Sequence, residues 1–327
     1  MNTSEITITE NDSLGKEEKQ RSPFIEANTE AIKLETIQQD HIIPVFIKDN
    51  EPLISTPDFI DMAVGVTHHV FNGEDVREPQ IRVSHPIKGR IPAAKNKPAK
   101  ELLDHERTIY YERTAFVIQV PSITKQVNGD TLYLTVGGIK AYNEDNLYRC
   151  KGAPEHFKIF VGFLNKVCTN LCVWNEGFCQ SVKVGTSREL EVAIFELVTD
   201  FCNSGFYGKF TFWEQLAEQE LTEHQFAQVI GRAKLYQHLP REAKAAIPEL
   251  LLNDTQISAI AKEYYQDTHF GKPEGGSIPL WDFYNLCTGA LKSSYIDTFL
   301  ERGLNAHAFV EQLSDALTGD QEFWFLS

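Results

Sequence analysis

Residues 110–120 read YYERTAFVIQV and residues 131–136 read TLYLTV, with Asn128-Gly129 between them. The first run is rich in aromatic and β-branched side chains. In the second, Leu132, Leu134 and Val136 alternate with Tyr133 and Thr135, the period of two that gives a pleated strand two distinct faces. Asn-Gly favours the positive φ angles of a type I′ turn, whose twist matches that of paired strands, so the spacing predicts an antiparallel hairpin. A further strand is expected over 157–164, and the runs 167–173 and 178–184 flank residues 174–177 at a spacing that predicts a second hairpin. The Gly137-Gly138 pair within a strand reads as a bulge or a place of close packing.

On the N-terminal side, Ile43, Val45, Phe46 and Ile47, then Asp49-Asn50 and Leu53-Ile54, predict two short strands around a polar turn. Ser55-Thr56-Pro57-Asp58 is a helix start, with Pro in the first turn and an acid at the positive end of the helix dipole, and the helix is expected to reach about Phe71. Residues 1–22 carry charges and few apolar side chains, too little buried surface to offset the entropy of ordering, so a disordered tail is expected there.

After Gly185 the period changes from about two to about 3.6. Thr186 with Glu189 suggests a capping box, followed by Leu190, Ala193, Ile194, Leu197, Val198 and Phe201 on one stripe. Thr222 with Gln225 opens another helix ending at Leu239-Pro240, and others are expected from about Asp254 and over 280–289, 295–302 and 306–317. From Phe210 onward 17 acids stand against 8 basic residues. The fold class is therefore α+β, with an N-terminal antiparallel sheet built of hairpins and a C-terminal acidic helical unit. The division expected is a tail over 1–22, a sheet domain over 23–185 and a helical domain over 186–327.

The formal charge is −15, yet between Pro79 and Lys100 the chain carries Arg82, Lys88, Arg90, Lys95, Lys97 and Lys100 and no acid. Pro86, Pro92 and Pro98 prevent one uninterrupted helix, so this strip is expected to run over the surface, able to meet phosphates. Arg107 and Arg113 would add charge, and Tyr110 and Tyr111 would stack on the bases of a single strand, each stack contributing roughly 1–3 kcal/mol. The bland reading is a solvated sheet edge on which Lys and Pro discourage strand pairing, and Glu101, Asp104, Glu106 and Glu112 favour it.

Six cysteines, Cys150, Cys168, Cys172, Cys179, Cys202 and Cys287, are too sparse for a disulfide scaffold. Only Cys168 and Cys172 have the close spacing of a zinc ligand pair, and they are expected to share one face of a strand as reduced, metal-free core thiols. His68-His69 falls late in a predicted helix, where an imidazole can meet the negative helix end. No nucleophile elbow, phosphate-binding loop or zinc-protease signature occurs, and Arg232, Gln237 and Pro240 stand where a helix-turn-helix beginning at Phe226 needs apolar residues. No catalytic residue, cofactor or metal is assigned. With no run of about 18 apolar residues and a polar start, neither a membrane span nor a secretion signal is expected, which places the chain in the cytoplasm.

The segments PFIEANT (23–29), IRVSHPIKGRIP (81–92), GIKAYN (138–143), FVGF (160–163) with VCTN (167–170), TEHQFAQ (222–228), and WDFYN (281–285) with KSSYID (292–297) resemble the bacterial family of domain of unknown function 3871. Around 167–170 the chain is also distantly similar to the phage-and-plasmid-like family of domain of unknown function 932. The resemblance implies a mobile-element or phage-related setting and transfers no catalytic residue. Three readings follow: a non-enzymatic helper that binds nucleic acid, single-stranded in the first instance; an interaction protein, including an acidic decoy that engages a host protein; and an enzyme of unrecognised type. A binder should gather its cations on one surface, whereas a decoy should present its acids on one.

Overall fold

The computed structural model describes residues 23–40, 54–94, 96–145, 153–173, 178–204, 207–319 and 321–327. The expected tail, the strand expected over 43–47, the 174–177 turn, Lys95 and Cys150 lie outside them. In chain order the elements are β1 (Glu30–Ile32), α1 (Leu34–Asp40), α2 (Thr56–Val70), β2 (Gln80–Val83), β3 (Pro86–Arg90), β4 (Arg107–Tyr111), β5 (Arg113–Val127), β6 (Asp130–Ala141), α3 (Tyr142–Asp145), β7 (Glu155–Asn165), β8 (Leu171–Cys172) and β9 (Cys179–Val184). There follow α4 (Ser187–Asn203), α5 (Tyr207–Glu218), β10 (Glu220–Thr222), α6 (Glu223–Gln237), α7 (Arg241–Lys244), α8 (Asp254–Gln266), β11 (Ser277–Pro279), α9 (Leu280–Leu291) and α10 (Ile296–Thr318).

The hairpin at Asn128-Gly129 forms as its residues dictate. Asn128 and Gly129 both adopt positive φ, 48° and 84°, and Val127 faces Asp130 across the turn. The central sheet is antiparallel in the order β1-β2-β5-β6-β7, and both β8 and β9 pair with β7. The second hairpin is thus corrected: 167–173 and 178–184 do not pair with each other. β8 and β9 lie end to end along one edge of β7, because a tight turn over 166–170, with Thr169 at φ 57°, folds β8 straight back onto it.

Helix α2 begins at the predicted Ser55, whose Oγ accepts from the Asp58 N–H while Asp58 returns a bond to the Ser55 N–H, satisfying donors that the first turn leaves free. Its Phe59 ring packs edge-on against Phe116 and Phe157, with centroids 5.0 and 4.9 Å away. Gly138 makes that approach possible, since a Cβ there would collide with the Phe59 and Phe116 rings. Helix α4 covers the same sheet face, its Phe201 packing on Phe163 and Phe178. The opposite face meets α10, where Asp297 receives Arg113 Nε at 3.2 Å and Lys158 Nζ donates to the Asp297 carbonyl at 2.7 Å.

Helices over 295–302 and 306–317 prove to be one 23-residue helix, α10. Gly303 does not break it. The residue sits where the helix passes β8, and an added Cβ would lie 3.3 Å from Val173 Cγ2, so its lack of a side chain serves packing. Within the helical half, helix α5, the short α7 and the β10–β11 ladder were not among the expected elements. Nearly all of the described buried apolar side chains of sheet and helices form one hydrophobic cluster.

Candidate nucleic-acid interface

The basic strip folds into an arm. β2 and β5 pair from Gln80↔Val117 to Val83↔Thr114, then the ladder breaks at Ser84, whose N–H donates to the Arg113 carbonyl while its Oγ accepts from the Arg113 N–H. Beyond this break the same two chain segments pair again as a separate two-stranded ribbon, β3 with β4, in the register Pro86↔Tyr111 to Arg90↔Arg107. Three short 3₁₀ turns close its tip over 92–106, where the Ile91 N–H donates to the Glu106 carbonyl.

Residues directly opposite in an antiparallel ladder share a face. One face of the ribbon therefore carries Pro86, Lys88 and Arg90 with Tyr111, Ile109 and Arg107, and the other carries Ile87 and Gly89 with Tyr110 and Thr108. Lys88 and Arg107 are exposed and Arg90 is half-buried. The second face turns toward the body: the Tyr110 ring lies edge-on to Tyr142, centroids 6.1 Å apart, and α1 approaches β4. Burial raises the pKa of the Tyr110 hydroxyl, with the Glu112 charge adding to it.

The ten residues singled out in the sequence divide into groups. Lys88, Arg90 and Arg107 come together on the ribbon face, with Lys97 and the exposed Lys100 at the tip. Arg107 meets Asp104 at 3.2 Å, but this pair is 56% and 99% exposed, so it contributes little and can exchange for a phosphate. Lys97 is bound to Glu106, and that hydrogen bond, helped by the Leu103 N–H, holds the Glu106 carboxyl below its usual pKa. Arg90 donates to the Lys97 carbonyl.

Arg82 belongs elsewhere. It lies within the central sheet and donates to the Thr29 carbonyl and hydroxyl at 2.6–3.0 Å, with burial lowering its pKa against the charges of Glu26 and Glu30. Arg113 lies half-buried between Glu112 and Asp297, both within 3.2 Å. Tyr111 is only 7% exposed, in the core at the root of the arm, and being adjacent to Tyr110 on one strand it faces the opposite way. The two tyrosines thus form no common stacking platform.

Two buried polar centres have no sequence motif to announce them. Lys140, fully buried, donates from Nζ to Asp145 at 2.6 Å, Glu155 at 3.1 Å and the His156 carbonyl at 3.3 Å, using all three of its protons. Both carboxylates are further engaged, Glu155 by the Ile54 N–H and Asp145 by the His156 N–H. Such a saturated group stabilises structure and offers no proton to a substrate. At the tip of the β5–β6 hairpin, the buried Asp130 accepts from Trp281 Nε1 at 2.8 Å and shares a 2.7 Å bond with His269 Nε2. Beside it Asn128 donates to Asp282, whose carboxyl is pushed up to about 6 by burial, with Asp130 and Asp267 adding to the shift and His269 opposing it. This cluster fastens the hairpin tip to α9 and to the loop after α8.

Cys168 occupies the 166–170 turn and not a strand shared with Cys172, a correction that follows from the turn described above. Burial pushes the Cys168 and Cys179 thiols up to about 12 and raises Cys172 well above the ordinary thiol range. Among the described residues, no three His, Cys, Asp or Glu side chains cluster as a metal ligand set, and no helix is long and apolar enough to cross a membrane.

Residues 4–326 match the family described as Domain of unknown function, B. Theta Gene description (DUF3871). No curated protein and no solved structure shows a significant match.

Proposed function

This chain belongs to the DUF3871 family, a description that names no activity, and from the chemistry of the arm we propose that it is a non-catalytic helper that binds nucleic acid. One observation carries the reading: Lys88, Arg90 and Arg107 share the outward face of a ribbon detached from the central sheet. Arg90 and Arg107 stand directly opposite each other, an arrangement of like charges that the exposed Asp104 beside Arg107 offsets little and that a bound phosphate would relieve. At a net charge of −15 the whole chain repels polyanions at long range, so contact depends on the local face and weakens steeply with salt. A mobile-element or phage-related setting in the cytoplasm belongs to the same proposal.

The test is fluorescence anisotropy with mixed-sequence oligonucleotides across a salt series. It compares the native chain with a variant in which the exposed Lys88, Lys100 and Arg107 become Gln. If all three meet phosphates, the variant loses about 2 from the slope of log affinity against log salt on a single strand. Absence of binding at low salt, or the same slope in the variant, removes the reading and puts a protein-interaction role, with the acidic helical half as the contact surface, in its place.

A further inference from the structure

The same arm indicates which nucleic acid it fits, an inference that rests on the binding proposal above. A single-strand groove needs exposed aromatic rings on which successive bases stack. The arm has none in position: Tyr111 is in the core, and Tyr110 lies on the opposite face from the cations with its ring against Tyr142. What remains is a narrow two-stranded ribbon whose one face meets the body through Tyr110, and whose other face, buried at its root by Tyr111, exposes Lys88 and Arg107 with Arg90 and Ile109 half-buried beside them. Five residues per strand make it about 17 Å long at ~3.4 Å per residue, with its strands about 5 Å apart. The major groove of B-form DNA, about 12 Å wide, admits a two-stranded ribbon of this kind.

The outward face has the chemistry that such a groove presents. The exposed Arg107 can reach guanine O6 and N7 or a flanking phosphate, Arg90 beside it across the ladder adds positive charge with the guanidinium protons not given to the Lys97 carbonyl, and Lys88 extends the charge two residues along β3. Ile109, opposite Lys88 and half-buried, supplies an apolar contact of the type made with the thymine methyl group. An A-form RNA helix would not accept the ribbon, because its major groove is deep and narrow. We propose that the arm lays its Lys88, Arg90 and Arg107 face into the major groove of duplex DNA.

Four labelled probes decide it: a short DNA duplex, one of its single strands, an RNA duplex of the same sequence, and the DNA duplex with glucosylated hydroxymethylcytosines, whose sugars fill the major groove. The plain DNA duplex should bind most tightly. With three phosphate-neutralising cations its affinity should fall roughly twentyfold between about 50 and about 150 mM salt, and Lys88→Gln, a change at an exposed site that leaves the ribbon ladder in place, should make the slope shallower by about 0.9. Glucosylation should abolish most of the binding. If the single strand or the RNA duplex binds as tightly as the DNA duplex, or the glucosylated duplex binds undiminished, the groove assignment is overturned. Sensitivity to Lys88→Gln would still keep the broader binding reading in those cases. If no probe binds at about 50 mM salt, where a three-phosphate contact is strongest, both fall together.

Discussion

Replacing Lys140 by Met tests what holds the sheet to α3. The substitution keeps the length of the stem and its packing over the Phe157 ring, 4.0 Å from Nζ, but removes the charge that Asp145 and Glu155 share. All three side chains are at least nine-tenths buried, so two carboxylates would be left in the interior without the cation that balances them, although the Ile54 and His156 N–H groups still donate to them. Breaking a buried pair from one side costs about 3–5 kcal/mol. In a chain of this size that is a fall in melting temperature of about 6–10 °C, at ~2 °C per kcal/mol. The combined variant Lys140→Met, Asp145→Asn, Glu155→Gln keeps the oxygens that accept from Ile54 and His156 and removes all three charges. It should recover most of the loss. Thermal and urea unfolding, followed by far-ultraviolet circular dichroism, measure both. A single variant within about 1 kcal/mol of the native chain, or a combined variant no better than the single one, would refute the reasoning that the charges are mutually compensated.

Two further outcomes are expected. Gly138→Ala should destabilise by about 1–3 kcal/mol, because its Cβ would strike the Phe59 and Phe116 rings, whereas Gly231→Ala, with open space around an exposed position in α6, should stabilise by up to ~1 kcal/mol; thermal melts of the two variants should move in opposite directions. Asp282 has a carboxyl pushed up to about 6, so native stability contributed by its neutral form is full below the unfolded carboxyl range and is lost as pH rises through 6; Asp282→Asn should therefore raise the melting temperature more at pH near 7.5 than near 5, and an equal gain at both would be inconsistent with the shift.

Local chemistry settled what depends on neighbours in the chain. The β5–β6 hairpin was legible because Asn128 and Gly129 accept positive φ, and the starts of α2, α4 and α6 because Ser55, Thr186 and Thr222 carry the oxygens that their first turns require. The α+β class and the order of sheet before helices follow from those signals. The structure departs from these expectations in two places. The spacing of β8 and β9 predicts a hairpin, but the turn over 166–170 folds β8 back onto β7, and β9 takes the rest of the same β7 edge. The helices expected over 295–302 and 306–317 are one, and Gly303 between them lets α10 pass close to Val173, 130 residues earlier. The candidate site divides in the same way. That residues 79–100 are cationic and acid-free is plain from the order of residues alone. Only the tertiary structure decided that Arg82 bonds to Thr29, that Arg113 is held between Glu112 and Asp297, and that Lys88, Arg90 and Arg107 meet on one face, because cross-strand register and long-range ion pairs are set by residues that lie far apart in the chain.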